Sequence, residues 1–186
     1  MGGLVDDSPL LNYLQGIVST FTGFKRRVVM SSVNVDTGEY VDFTRDNIDL
    51  WELPHAAVSS ASIPGVFPHH VWRMGTFMDG GTVINVNIAS AINQCIDAGY
   101  KEDQIVLDVL ICGDPTHPAA EVDTDDTMEN YMRVRDLKKF YLDTDSIAAT
   151  MYGHPEVNLR YLIKQTQGHM GGKSELNFEG SFTWPA

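Results

Sequence analysis

The residues whose types and spacing could do chemistry lie between Ser59 and Asn87, in the run SSASIPGVFPHHVWRMGTFMDGGTVINVN. Asp79 ends a short strand-like stretch, Thr76 to Met78, and is followed directly by Gly80 and Gly81. A carboxylate at the carboxyl end of a sheet strand faces the crevice where α/β folds bind ligands. The two glycines let backbone approach closely. Such a carboxylate can take a proton from a serine hydroxyl within hydrogen-bond reach, although Asp-Gly-Gly is also an ordinary turn sequence. Ser59, Ser60 and Ser62 are hydroxyls nearby in sequence, and their small size suits them to letting a helix end approach a sheet. His55, His69 and His70 show no metal-ligand spacing, and side chains of an adjacent pair point apart. The acidic run Glu121 to Asp126 lacks the sixth-position glycine and twelfth-position glutamate of a calcium loop, so it reads as a solvated segment. Cys95 and Cys112 form neither a zinc nor a redox spacing, and are expected to be buried thiols of a reducing, cytoplasmic compartment.

The neighbours of Asp79 carry more information than Asp79 itself. Ala57 to Pro68 (AVSSASIPGVFP), then Phe77-Met78-Asp79-Gly80-Gly81, then Asn85, together resemble the patatin-like acyl hydrolases, a family of lipid hydrolases related to patatin and the calcium-independent phospholipases. The stretch VVMSSVNVDTGEYVDF at Val28 to Phe43 resembles the segment that precedes this motif in the family, and the likeness runs from about Arg26 to Gly113. It implies an α/β fold, a three-layer sheet with helices on both faces. It also implies a Ser-Asp dyad working without metal or other cofactor on a fatty-acyl ester such as a phospholipid or acylglycerol. Asp79 matches the family's general base, with Gly80 and Gly81 completing its motif.

The family's nucleophile motif, G-x-S-x-G, occurs nowhere in the sequence. Gly172-Lys173-Ser174-Glu175-Leu176 lacks the second glycine and follows Asp79 instead of preceding it, and Gly2-Gly3-Leu4 lacks the further glycine and basic residue of an oxyanion loop. Asn87 stands where the family usually has proline shortly after its asparagine, a harmless exchange because asparagine caps helices well. The resemblance therefore makes residues 1–113 the C-terminal part of a patatin-like domain, incomplete in this chain, with 114–186 an acidic loop and helical extension. An isolated chain of this kind is expected to be catalytically inactive. Its open sheet edge and apolar surface are expected to favour poor solubility or dimerisation. The rival expectation is a non-catalytic lipid-binding or protein-interaction module derived from the same fold.

Several elements must position Asp79. Pro9 after Asp6 to Ser8 predicts a helix entry with Ser8 as N-cap, followed by Leu10, Leu11, Leu14, Ile17 and Val18 at helical spacing. Arg26 to Val35 and Glu39 to Phe43 read as strands joined through Asp36-Thr37-Gly38 into a hairpin. A helix is expected from about Leu50 to Ala61, with Pro54 tolerated in its first turn, and Ile63 to Pro68 breaks it. Val71 to Met74 and Thr76 to Met78 read as short strands around Gly75. Asn87 caps a helix whose apolar face is Ile88, Ile92, Cys95 and Ile96. The apolar run Ile105 to Cys112 predicts a strand covered on both faces of a parallel sheet. Thr127 to about Met151 is helical, with Met128, Tyr131, Val134, Leu137 and Tyr141 as its core stripe. A shorter helix over Glu156 to Lys164, a break at Gly168 to Lys173 and a strand over Glu175 to Trp184 complete the reading, which alternates helix and strand as an α/β layer fold does.

Composition bounds the partners. With 186 residues, 43% of them hydrophobic, a chain of this length can bury roughly 70% of its unfolded surface without staples. A net charge of -12 opposes nucleic acid and electrostatic adhesion to anionic membranes, and leaves room for apolar, peripheral contact with a lipid surface. No apolar run reaches the roughly 18 residues of a membrane span, and Met1 to Asp7 has no signal-peptide pattern.

Overall fold

The computed structural model of the chain describes residues 3–73, 75–111 and 126–164. They fall into two units, Met1–Gln94 and Cys95–Ala186, and the site belongs to the first.

The first unit is built on a four-stranded antiparallel sheet of order β2-β1-β4-β3, from β1 (Val29–Asn34), β2 (Tyr40–Thr44), β3 (His70–Trp72) and β4 (Gly75–Asp79). The predicted hairpin sets its register. Asn34 O accepts from Gly38 N at 2.8 Å, and Asn34 Oδ1 accepts from Asp36 N at 2.9 Å. Gly38 takes φ 77° at the turn, a conformation open to glycine at little cost. Val33 then pairs with Tyr40 and Ser31 with Asp42, while β4 lies antiparallel to β1 with Asp79 opposite Ser32.

Successive side chains of a strand point to opposite faces, and the two faces of this sheet differ in chemistry. One face carries Met30, Val41, Phe43, Trp72 and Phe77, which close with Ile48, Ala56, Leu53 and Phe24 into the hydrophobic core. Its aromatic rings meet at 5.2 Å (Phe43 and Trp72) and 5.3 Å (Phe43 and Phe77), within the range of favourable aromatic pairs. α2 (Leu53–Ala61) packs on this face through Ala56, after a 3-10 turn at Leu50–Glu52, and Pro54 sits in its first turn as the sequence predicts. The other face carries Ser31, Tyr40 and Asp42 and receives the first turn of α3 (Ile88–Asp97). Helices therefore lie on both faces of a sheet, as the α/β reading expects.

α1 (Ser8–Val18) begins one residue away from the expected cap. Asp7 is its N-cap residue, because the Ser8 hydroxyl turns back to donate to Asp6 Oδ1 at 2.7 Å. That bond, with one from Ser8 N, holds the exposed Asp6 carboxyl below its ordinary range.

The second unit contains β5 (Val106–Ile111), α4 (Thr127–Gly153) and β6 (Asn158–Lys164), the two strands pairing in parallel. Three expectations change here. Glu156 to Lys164 supplies a strand in place of a helix, because its Asn158–Lys164 segment finds the β5 edge and ladder bonds override local propensity. β5 does pair in parallel, but its sheet has two strands: Val109 is buried, while Val106 is 52% and Leu110 65% exposed. An apolar run states a capacity for burial, and here the Leu107, Val109 and Ile111 side of β5 is covered while the Val106, Asp108 and Leu110 side is exposed. The α4 stripe is likewise no core, since Met128, Tyr131, Val134 and Tyr141 are all exposed. Asp126 caps α4, accepting from Met128 N at 2.8 Å and Glu129 N at 3.0 Å. The Asp114 to Asp125 part of the acidic segment, Cys112, Gly168 to Lys173 and Glu175 to Trp184 lie outside the described residues.

Candidate functional site

Asp79 is fixed from three directions before its carboxylate does anything. Its strand lies between β1 and β3, and its own N–H donates to Ser62 O at the end of α2, 3.0 Å away. Its carbonyl accepts from the Thr82 hydroxyl at 2.6 Å. The carboxylate caps the 3-10 turn Gly80–Thr82, with Oδ1 accepting from Gly81 N at 2.8 Å. The side chain is half-buried, so a water-accessible carboxylate stands at the end of a strand in one orientation.

Space requires the first glycine, and the second is tightly fitted. A Cβ on Gly80 would lie 2.5 Å from Ser31 O and 2.7 Å from Ser31 C, so the close approach they permit is to the β1 backbone. A Cβ on Gly81 would lie 3.0 Å from Asn85 Oδ1 and 3.2 Å from Asp79 Oδ1. Asn85, part of the motif, is thus beside the same turn.

Behind this turn, on the polar face of the sheet, is a network that sequence reasoning missed. Ser31 Oγ donates to Asp42 Oδ1 at 2.6 Å. Asn87 Nδ2 reaches Ser31 Oγ at 3.0 Å and Asp42 Oδ1 at 3.2 Å, and the Ser90 hydroxyl donates to Asp42 Oδ2. Tyr40 donates from its hydroxyl to Ile84 O at 3.1 Å, tying β2 to the segment after Asp79. Burial pushes the Tyr40 phenol above its ordinary range, and the nearby Asp42 and Asp79 charges push the same way. The Asp42 carboxylate serves three donors, which marks it as a structural anchor. The signal for it was present in the turn: Asp36-Thr37-Gly38 fixes the hairpin register, and that register sets Ser31 against Asp42. Asn87 does cap α3, accepting from Ser90 N at 3.3 Å, and it also carries the two network bonds above.

The other candidates find structural employment. Ser59 is buried and accepts from Trp72 Nε1 at 2.9 Å, and buried Ser62 donates to Val58 O at 2.8 Å, so both serve the packing of α2. His69 is exposed and separate from His55 and His70, whose rings meet at Nδ1 and Nε2, 3.0 Å apart. Among the described residues no group of three or more His, Cys, Asp or Glu side chains could hold a metal ion, and no helix is long and apolar enough to cross a membrane. Cys95 is a free, half-buried thiol.

Residues 1–92 match the family model described as patatin-like phospholipase, and over that segment the chain belongs to the patatin-like family. The match takes in α1, which the motif likeness left outside, and ends within α3. No curated protein matches the chain. The family is one of lipid acyl hydrolases.

Proposed function

We propose that the first unit is the carboxylate-bearing part of a lipid acyl hydrolase site, with Asp79 as the base of a Ser-Asp dyad. In that role Asp79 takes the proton of a serine hydroxyl as the serine attacks an acyl ester, and later activates the water that releases the fatty acid. The observation that carries this reading is the orientation of Asp79, held by Gly81 N through a turn whose Gly80 admits no side chain. The serine it would serve is not in this sequence, and in a reference serine hydrolase losing the nucleophile costs about 10⁶ in turnover. The chain by itself is therefore inactive. The absence of G-x-S-x-G also favours a second reading, a lipid-binding or interaction module that keeps the framework without the chemistry.

Hydrolysis of a short p-nitrophenyl ester tests the first reading. The purified chain is expected to match the buffer blank, with Asp79→Asn indistinguishable from it. Turnover that disappears in Asp79→Asn would show a nucleophile within the chain. A fluorophosphonate probe on the native, full-length product separates the two readings, because an activated serine labels and a module does not.

A further inference from the structure

α1 carries more apolar surface than its docking uses. Leu11, Leu14 and Val18 recur at helical spacing and are half-buried, which makes them the side toward α2 and the 3-10 turn Leu50–Glu52, on both of which α1 packs. Leu10, Tyr13 and Ile17 lie about 100° further round the helix, and all three are exposed, Tyr13 by 67%. The two sides together form a band about 160° wide, where a stripe of about 100° is enough to face a core. Beyond the helix, Phe21 N donates to Val18 O at 3.0 Å, and this turn leaves the Phe21 ring exposed. Trp51, also exposed, stands on the 3-10 turn that α1 packs against.

The charge of the same stretch is opposite to that of the chain. From Ser8 to Val35 there is no Asp or Glu, and the charged side chains are Lys25, Arg26 and Arg27, in a chain of net charge -12. Arg27 is occupied by Asp46 at 3.0 Å and by Gln94. Lys25 and Arg26 are exposed, and among the described residues neither makes an ion pair. Four residues of chain separate Phe21 from Lys25, a reach of at most about 14 Å. Asp6 and Asp7 stand at the opposite end of a helix about 16 Å long. On the adjoining turn, Glu52 is buried and paired to Arg73, while exposed Asp49 opposes the two cations.

We propose that α1, with Phe21 and the Lys25–Arg26 pair, is a docking element for an anionic lipid bilayer. The Leu10, Tyr13 and Ile17 side lies in the interface and the two cations meet the headgroup charge, the two attractions by which interfacial helices bind. Charge complementarity selects this occupant. A second copy of the chain would bring the same uncharged face and the same two cations against themselves, because a two-fold contact pairs like with like. A neutral surface would leave the cations unanswered. The net charge of -12 acts against docking only through a screening length of about 8 Å, so the charges nearest the bilayer dominate. The element stands on α1 and not on Asp79, so it holds for either reading of the function.

Flotation of the purified full chain with vesicles of phosphatidylcholine, with and without phosphatidylserine, tests it. The parent chain is expected to float with the phosphatidylserine vesicles alone and to be released by 0.5 M salt, where screening is stronger. Lys25→Gln with Arg26→Gln should weaken binding by about 30-fold, at about fivefold per cation. Tyr13→Ser with Ile17→Ser should abolish it, and Asp79→Asn should leave it unchanged, so this result and the ester assay fail independently. No binding, equal binding to both vesicles, or binding that neither double variant changes overturns the proposal. So does a dimer by light scattering that binds no vesicle and dissociates in Tyr13→Ser with Ile17→Ser, since a second copy then covers the face. Should a double variant fail to fold, vesicles carrying brominated acyl chains decide with the parent chain. Quenching that is lost in Trp51→Phe supports docking on this side, and quenching that is absent or unchanged overturns it.

Discussion

At Gly80 a methyl group would sit 2.5 Å from the Ser31 carbonyl oxygen, whereas at Gly38 it would meet nothing within 4 Å but would have to adopt φ 77°. The two glycines are thus held for different reasons, one steric between strands and one conformational within a turn. Gly80→Ala must separate β1 from β4 beside Asp79, and overpacking of that kind costs about 1–3 kcal/mol or more. Gly38→Ala is expected to cost about 1 kcal/mol from backbone strain alone. Urea unfolding of both variants checks the order, which should place Gly80→Ala as the less stable. Sequence showed that glycines flank Asp79; it could not show that Gly80 abuts the Ser31 backbone, because that neighbour comes from a strand nearly fifty positions earlier.

Strands and helices meet through the Asp42 carboxylate, which joins the hairpin to the first turn of α3 by bonds from Ser31, Asn87 and Ser90. Asp42→Ala leaves these donors without an acceptor in a half-buried site, and is expected to destabilise the first unit by about 2–3 kcal/mol. Ser90→Ala removes one donor and should cost about 1 kcal/mol. Thermal unfolding of the two variants tests whether the network acts as an anchor; equal, small losses would remove that role. The hairpin, the Pro54 helix and the Asn87 cap were legible because each rests on turn or cap chemistry contained within a few residues. β6 was not, since Asn158–Lys164 becomes a strand by pairing with β5, a partner that local pattern does not reveal. The α4 stripe shows the same limit: helical spacing identifies Met128, Tyr131, Val134 and Tyr141 as one band without saying what, if anything, covers it.

For the whole molecule, the response to acid is set by Glu52, which is buried, bonded through Oε1 to Arg73 Nε at 2.7 Å and through Oε2 to Arg73 again. Those bonds hold the Glu52 carboxyl below its ordinary value against the opposing effect of burial. A carboxylate with a lowered folded pKa contributes stability that is complete above its unfolded value, about 4.3, and is lost as pH falls through the folded one. Global stability, read by urea titration, is therefore expected to hold down to about pH 4.5 and to decline below it. Arg73→Ala, by leaving the buried Glu52 carboxylate with the Asp49 N–H and no charged partner, should remove about 1.5–3 kcal/mol at neutral pH. An unchanged midpoint would show that the pair contributes nothing net.

The burial of Trp72 has an optical consequence. Trp72 is buried with its Nε1 bonded to Ser59, while Trp51 is exposed, so these two indoles differ in emission wavelength and in access to a dissolved quencher. Opening of the first unit's core brings Trp72 into water, and the blue edge of the protein's own fluorescence thereby reports the integrity of that core, with no label attached.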